Sequence, residues 1–197
     1  MLPESEAAVD LLSTGGAIIR GVTEDTDGLG EWIRAQARDG DWLSLWPALV
    51  KSRALLVERL AGFSEAQARW RPPFGEGEAA WSAIEVADHV LAYSANVGAI
   101  IEATAAGQAV AKDPPGMLRS QSRPPFREVL REVTRASIRL AALPERLPPE
   151  PDLETTVPHA FFGPLNCRDW YVFLRIHDAD HARQLEHLRT LPGFPLH

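Results

Sequence analysis

The sequence has 197 residues, of which 45% are hydrophobic, and its formal net charge at pH 7 is −7. This length suits one domain with a full hydrophobic core, with or without a short extension. The acidic balance argues against a protein that binds the phosphate backbone of nucleic acids, and no apolar run reaches the roughly 20 residues that a membrane span needs.

The first forty residues carry the weakest structural pattern of the chain. Short helices are predicted around residues 7–20 and 31–38. We interpret residues 1–40 as an N-terminal extension that packs on the following domain or on a second subunit. The sequence starts without the basic and apolar regions of a signal peptide, which predicts a cytoplasmic protein.

Four later stretches have the periodicity of amphipathic helices, and none has the alternation of a strand. They cover approximately residues 41–61, 82–106, 125–143 and 168–190. Loops rich in proline and glycine separate them. Four such helices with loop-only connections predict that residues 41–197 form an all-α four-helix bundle.

Residues at the helix starts support these boundaries. Asp41 and Asn166 are candidate N-caps, and Ser82 followed by Glu85 has the spacing of a capping box. Pro47 lies near the start of the first long helix and either kinks it or shifts its true beginning.

The last helix contains two histidines one turn apart, His177 and His181, within an apolar stripe. The stripe consists of Trp170, Phe173, Leu174, Leu185 and Leu188. A buried imidazole needs a partner for its ring nitrogens, and a shared metal ion would provide one for both rings. The alternative is that the stripe is narrower and the two rings are surface residues.

A third histidine, His89, lies on the apolar face of the second long helix. Alone it would be interpreted as a hydrogen-bonded core residue, but beside the pair it becomes a candidate third ligand. The single cysteine, Cys167, excludes a thiolate-rich zinc site, so the ligands of any metal must be histidine or carboxylate. Three protein ligands would leave one position for water or substrate, which is typical of a reactive site.

Several neighbours of these histidines have two interpretations. Gln184 is either a hydrogen-bond partner of a ligand or a polar residue at the core edge. Asp178 and Asp180 are predicted to face solvent. Tyr93 and Trp170 are interpreted as core residues in preference to residues that contact a substrate.

The remaining candidates have structural interpretations. Glu85 is explained by helix capping, His187 by solvation, and His159 by anchoring its loop, although it could also line a pocket mouth. Cys167 is expected to be buried and inert, although a helix N-terminus can lower a thiol pKa. No catalytic residue is assigned.

At these residues the chain resembles the DinB-like superfamily of metal-binding four-helix bundles, which also contains the bacillithiol and mycothiol S-transferases. Three segments carry the resemblance: Trp81-Ser82 with His89, His159 through Leu165 with Trp170, and His177 through His181 with Gln184. They are similar to the family's second-helix signature, to the loop before its last helix, and to its His-x-x-x-His motif. The resemblance covers approximately residues 41–197.

The resemblance implies a divalent ion, often zinc or nickel, held by His89, His177 and His181. The residues alone suit zinc, nickel, iron or copper. We expect either a metal-dependent enzyme of the thiol S-transferase or hydrolase type, or a non-catalytic metal-stabilised bundle with a binding or stress-response role. A metal-free helical interaction module is a third alternative, and it requires the three histidines to lie apart.

These hypotheses also predict partners. A small-molecule substrate such as a low-molecular-weight thiol is expected, and neither nucleic acid nor a membrane is. The extension and the exposed tryptophans are candidate surfaces for a homodimer.

Overall fold

The computed structural model describes residues 26–110 and 124–196. In these ranges the α-helices are α1 (Thr26–Asp39), α2 (Trp42–Ala61), α3 (Glu65–Arg69), α4 (Ala83–Ala105), α5 (Phe126–Ala141) and α6 (Cys167–Leu188). Short 3₁₀ turns cover Gly77–Ala80 and Leu143–Arg146. The predicted helix at 7–20 lies outside the described residues.

Helices α2, α4, α5 and α6 form the predicted all-α bundle. Helix α6 packs between α2 and α4, and α5 packs against the other side of the same two helices. The long helices α2 and α4 are therefore diagonal in the bundle, although they follow each other among its four helices. The connection between them, which contains α3, is long enough to cross the end of the bundle.

Side-chain caps define where three of these helices begin. The Asp41 carboxylate accepts the backbone N–H of Ser44 at 2.8 Å, and the Asn166 side chain accepts those of Arg168 and Asp169. Ser82 and Glu85 form the expected capping box. Helix α2 starts at Trp42 with Pro47 inside it, so the proline does not shift the start of the helix.

Helix α1 is longer than the predicted helix at 31–38. It packs against α6 and contributes Leu29, Ile33 and Ala37 to the hydrophobic core. The division of the chain at residue 40 stays a prediction.

A β-hairpin precedes α6 where the sequence predicted only a loop. Strands β1 (Val157–His159) and β2 (Gly163–Leu165) pair antiparallel, with Val157 opposite Leu165. Each strand has three residues, which is too short for period-two alternation to be visible in the sequence. Arg34 of α1 donates to the carbonyl of Phe162 at the hairpin tip, 3.1 Å away.

None of the helices in the described ranges has the length and apolar character needed to span a membrane.

Candidate metal centre

The three predicted ligands come together in the bundle interior, between α4 and α6. His89 lies on the buried face of α4, and His177 and His181 lie one turn apart on α6. Their exposed fractions are 6%, 1% and 0%, so all three imidazoles are inside the protein. The alternative in which the pair lies at the surface is wrong.

One ring nitrogen from each histidine lies within 4.8 Å of those of the other two. The Nε2 atoms of His89 and His177 are 3.0 Å apart. This distance is close to the value of about 3.3 Å expected for two nitrogens bound tetrahedrally to one zinc ion at ~2.0–2.1 Å. The metal-free interaction module required separated histidines, and the structure places them together.

The side chain of Gln184 determines the tautomer of His181. Its Nε2 donates to the backbone carbonyl of Glu78 at 2.7 Å, so its Oε1 is the atom that lies 2.7 Å from Nδ1 of His181. An amide oxygen only accepts, so Nδ1 of His181 carries the proton and Nε2 carries a lone pair. Within the described part of the chain, that buried Nε2 has no hydrogen-bond partner.

Burial also keeps the imidazoles neutral. Desolvation lowers the pKa of His89 to about 4 and holds the pKa values of His177 and His181 well below the ordinary histidine value. The mutual proximity of the rings adds to the shift at His177 and His181 because each would repel a second positive charge. Neutral imidazole is the form that binds metals.

Two aromatic side chains cover the cluster. The Tyr93 ring stacks on His177 with 4.5 Å between centroids and 8° between planes, and lies 5.3 Å from His89. The indole of Trp81 lies 5.0 Å from His89 and 6.5 Å from His181. Both rings contact His89, which is nevertheless the most exposed of the three histidines.

The donor set fits a divalent transition-metal ion. Three neutral nitrogen donors converge, and one of them is a buried lone pair that nothing else in the described residues occupies. Imidazole nitrogens suit zinc, nickel, iron and copper, whereas magnesium and calcium prefer oxygen ligands.

The sequence matches the family model described as the DinB superfamily over residues 48–185. The chain belongs to the DinB superfamily. No curated protein and no solved structure gives a significant match. The matched region of this DinB-superfamily chain runs from α2 into α6 and includes all three histidines, and α1 lies before it.

Several residues near the histidines have the roles that the sequence suggested for them. Gln184 is a hydrogen-bond partner of His181, which is the first of the two interpretations given for it. Tyr93 contacts the imidazoles, whereas Trp170 is fully buried and contacts His159 and Phe173. Glu85 accepts from the Ser82 backbone and pairs with Arg71, as capping predicts.

The side chains of His159 and Cys167, which could in principle bind a metal or react, have structural roles. His159 is buried beside Phe162 and Phe173, and its Nδ1 accepts the Phe161 N–H at 3.2 Å, so it anchors the hairpin. Cys167 is fully buried, and burial raises its thiol pKa to about 11 despite its position at the start of α6. His187 is exposed, as predicted.

The prediction for Asp178 and Asp180 is wrong, because both are buried, at 0% and 2% exposure. Helix α6 is covered by α1, α2 and α4, so 16 of its 22 residues are buried and little of it faces solvent. Sequence reasoning also missed Arg53, the buried partner of Asp178. Its position between Leu49 and Leu56 on the apolar stripe of α2 is the same pattern that singled out the histidines.

Proposed function

We propose that the protein binds one divalent metal ion, zinc or nickel, through His89, His177 and His181, and that it is an enzyme of the thiol S-transferase or hydrolase type. The observation that carries the proposal is the convergence of three buried, neutral imidazoles, one with its Nε2 lone pair aligned by Gln184 and otherwise unused. A buried acceptor without a partner is unfavourable, and an ion bound there would relieve that penalty.

Three protein ligands would leave at least one position for a small molecule. When bound, the ion would lower the pKa of a thiol or a water molecule attached to it. The protein side chains then orient the ligand set and exclude solvent. Gln184 fixes the His181 ring, and Trp81 and Tyr93 keep bulk water away from the imidazoles.

The same covering rings favour a second candidate, a metal-stabilised bundle without catalysis that acts as a binding or stress-response protein. A substrate would have to reach ligands that are only 0% to 6% exposed and that lie against the rings of Trp81 and Tyr93. A structural site has no such need, because it is typically closed by protein ligands and packing.

Metal analysis tests the feature that both candidates share. Protein purified without an affinity tag and incubated with zinc or nickel is expected to retain one ion per chain after gel filtration. His177→Ala should abolish retention, and the exposed His187→Ala should preserve it. Wild-type protein that retains no ion would overturn both candidates.

Turnover distinguishes the two candidates. The metal-loaded protein is screened with low-molecular-weight thiols plus electrophilic acceptors, and separately with activated esters. Turnover that is lost in His89→Ala supports the enzyme. A loaded protein that turns over neither class, while it still retains its ion, supports the non-catalytic bundle.

A further inference from the structure

A buried ion pair lies directly beside the candidate metal centre. The Nε of Arg53 on α2 is 2.8 Å from Oδ2 of Asp178 on α6, and its Nη2 donates to the Ser94 hydroxyl on α4 at 2.6 Å. Arg53 is 3% exposed and Asp178 is not exposed at all. Asp178 directly follows His177, so this three-helix network reaches one of the proposed ligands.

The network leaves polar atoms without partners at its junction with His177. Among the described residues, Oδ1 of Asp178 and Nδ1 of His177 have no hydrogen bond, although the two atoms are only 3.7 Å apart. That distance is too long for a hydrogen bond, and the two atoms would have to approach by roughly 0.5 Å to form one. Arg53 holds the other carboxylate oxygen, which keeps Oδ1 available.

Metal binding would determine which nitrogen of His177 carries the proton, and so whether Nδ1 needs Oδ1 of Asp178 as an acceptor. With the Nε2 atoms of His89 and His177 3.0 Å apart, a hydrogen bond between them requires a proton on one of the two. Binding of both Nε2 atoms to one ion excludes that proton. His177 must then carry its proton on Nδ1, where it needs an acceptor in a buried site.

We propose that Asp178, oriented by Arg53, is the positioning residue of His177, and that its Oδ1 accepts the Nδ1 proton when Nε2 of His177 binds the ion. This inference rests on the proposed metal centre. Gln184 does the same for His181 with a neutral amide, so the two ligands of α6 have different partners. A carboxylate that accepts from a ligating imidazole fixes its tautomer and increases its basicity.

Zinc affinity tests the proposal. Asp178→Asn, which preserves size, is expected to weaken zinc binding roughly 10- to 100-fold in competition with a chelator of known affinity. Glu186→Gln is the matched control, because it removes the negative charge from the partly exposed Arg59–Glu186 pair between the same two helices. The control should bind zinc as wild type does, and equal affinity in Asp178→Asn and wild type would overturn the proposal.

A second measurement uses the wild-type chain, so it decides the question even if Asp178→Asn does not fold. In the zinc-loaded protein labelled with ¹⁵N at histidine, we expect His177 to carry its proton on Nδ1, with a strongly deshielded proton resonance. A His177 that is protonated on Nε2, or an Nδ1 proton that exchanges freely with water, would overturn the proposal. Wild-type protein that binds no zinc would instead overturn the proposed function, and this inference with it.

Discussion

Gln184 shows how one side chain can decide which atom of a neighbour is available for chemistry. Both ends of its amide are bound, the nitrogen to the Glu78 carbonyl and the oxygen to Nδ1 of His181. A flipped amide would place its N–H₂ group against Nδ1 and its oxygen against a carbonyl oxygen, and so would lose the Glu78 bond. Gln184 therefore anchors the orientation of His181 to the backbone before α4.

Replacing Gln184 tests this anchoring. Gln184→Leu is expected to weaken zinc binding roughly 10- to 100-fold, because the His181 ring loses the partner that fixes its tautomer. Chelator competition measures the change. Gln36→Leu on α1, where the glutamine is exposed, is the matched control and should bind like wild type. Unchanged affinity in Gln184→Leu would show that Gln184 is only a core-edge residue.

The site residues that could be predicted from the sequence were polar side chains at helix positions where the periodicity predicts apolar ones. His89, His177 and His181 interrupt apolar stripes, so their burial and convergence could be foreseen. Arg53 has the same pattern, but the pattern does not predict its burial, because long basic side chains usually extend to solvent from such positions. Asp178 could not be placed from its own helix, since its buried partner Arg53 lies on α2.

At the scale of elements, α6 explains both the success and the failure of the periodicity argument. Helical periodicity implies one buried face, and it predicts the ends of the four bundle helices to within a few residues. Helix α6, however, is covered by three other helices, so residues on its predicted outer face are also inside. The charge of Asp178 on that face is balanced by Arg53, which links α6 to α2.

Removing Arg53 should therefore destabilise the fold. Arg53→Met leaves the Asp178 carboxylate buried without a counterion, and we expect a loss of about 3–5 kcal/mol in the free energy of unfolding, measured by urea titration without metal. The partly exposed Arg59–Glu186 pair between the same helices provides the comparison, and Arg59→Met should lose less than about 1 kcal/mol. Equal effects of the two substitutions would contradict the importance of burial.

For the molecule as a whole, buried neutral histidines make stability depend on pH. Burial lowers the pKa of His159 in the hairpin to about 4, from an ordinary value of 6.5. The unfolded chain therefore binds this proton first as the pH falls, and stability decreases from about pH 6.5 towards pH 4. The three histidines of the cluster act in the same direction in the metal-free protein.

His159→Asn isolates one of these contributions. Asparagine can still accept the Phe161 N–H but does not titrate, so the variant should lose about 2 kcal/mol less stability than wild type between pH 7 and pH 5. Urea titrations of the metal-free proteins at both pH values measure this difference. The exposed His187→Asn is expected to keep the wild-type pH dependence, and the same dependence in His159→Asn would exclude His159 as a contributor.

Metal binding should couple the centre to the stability of the entire bundle, because His89 lies on α4 and the other two ligands lie on α6. An ion that binds only the folded chain, at 100 times its dissociation constant, adds about 2.7 kcal/mol. For a protein of this size that corresponds to a rise in Tm of roughly 5–11 °C.

We expect this rise in Tm on zinc addition to wild type and to His187→Ala, with reversal by a chelator. His89→Ala and His181→Ala should show no rise, whatever their own metal-free Tm, because each retains only two imidazoles. An equal rise in these two variants would place the stabilising ion elsewhere on the protein.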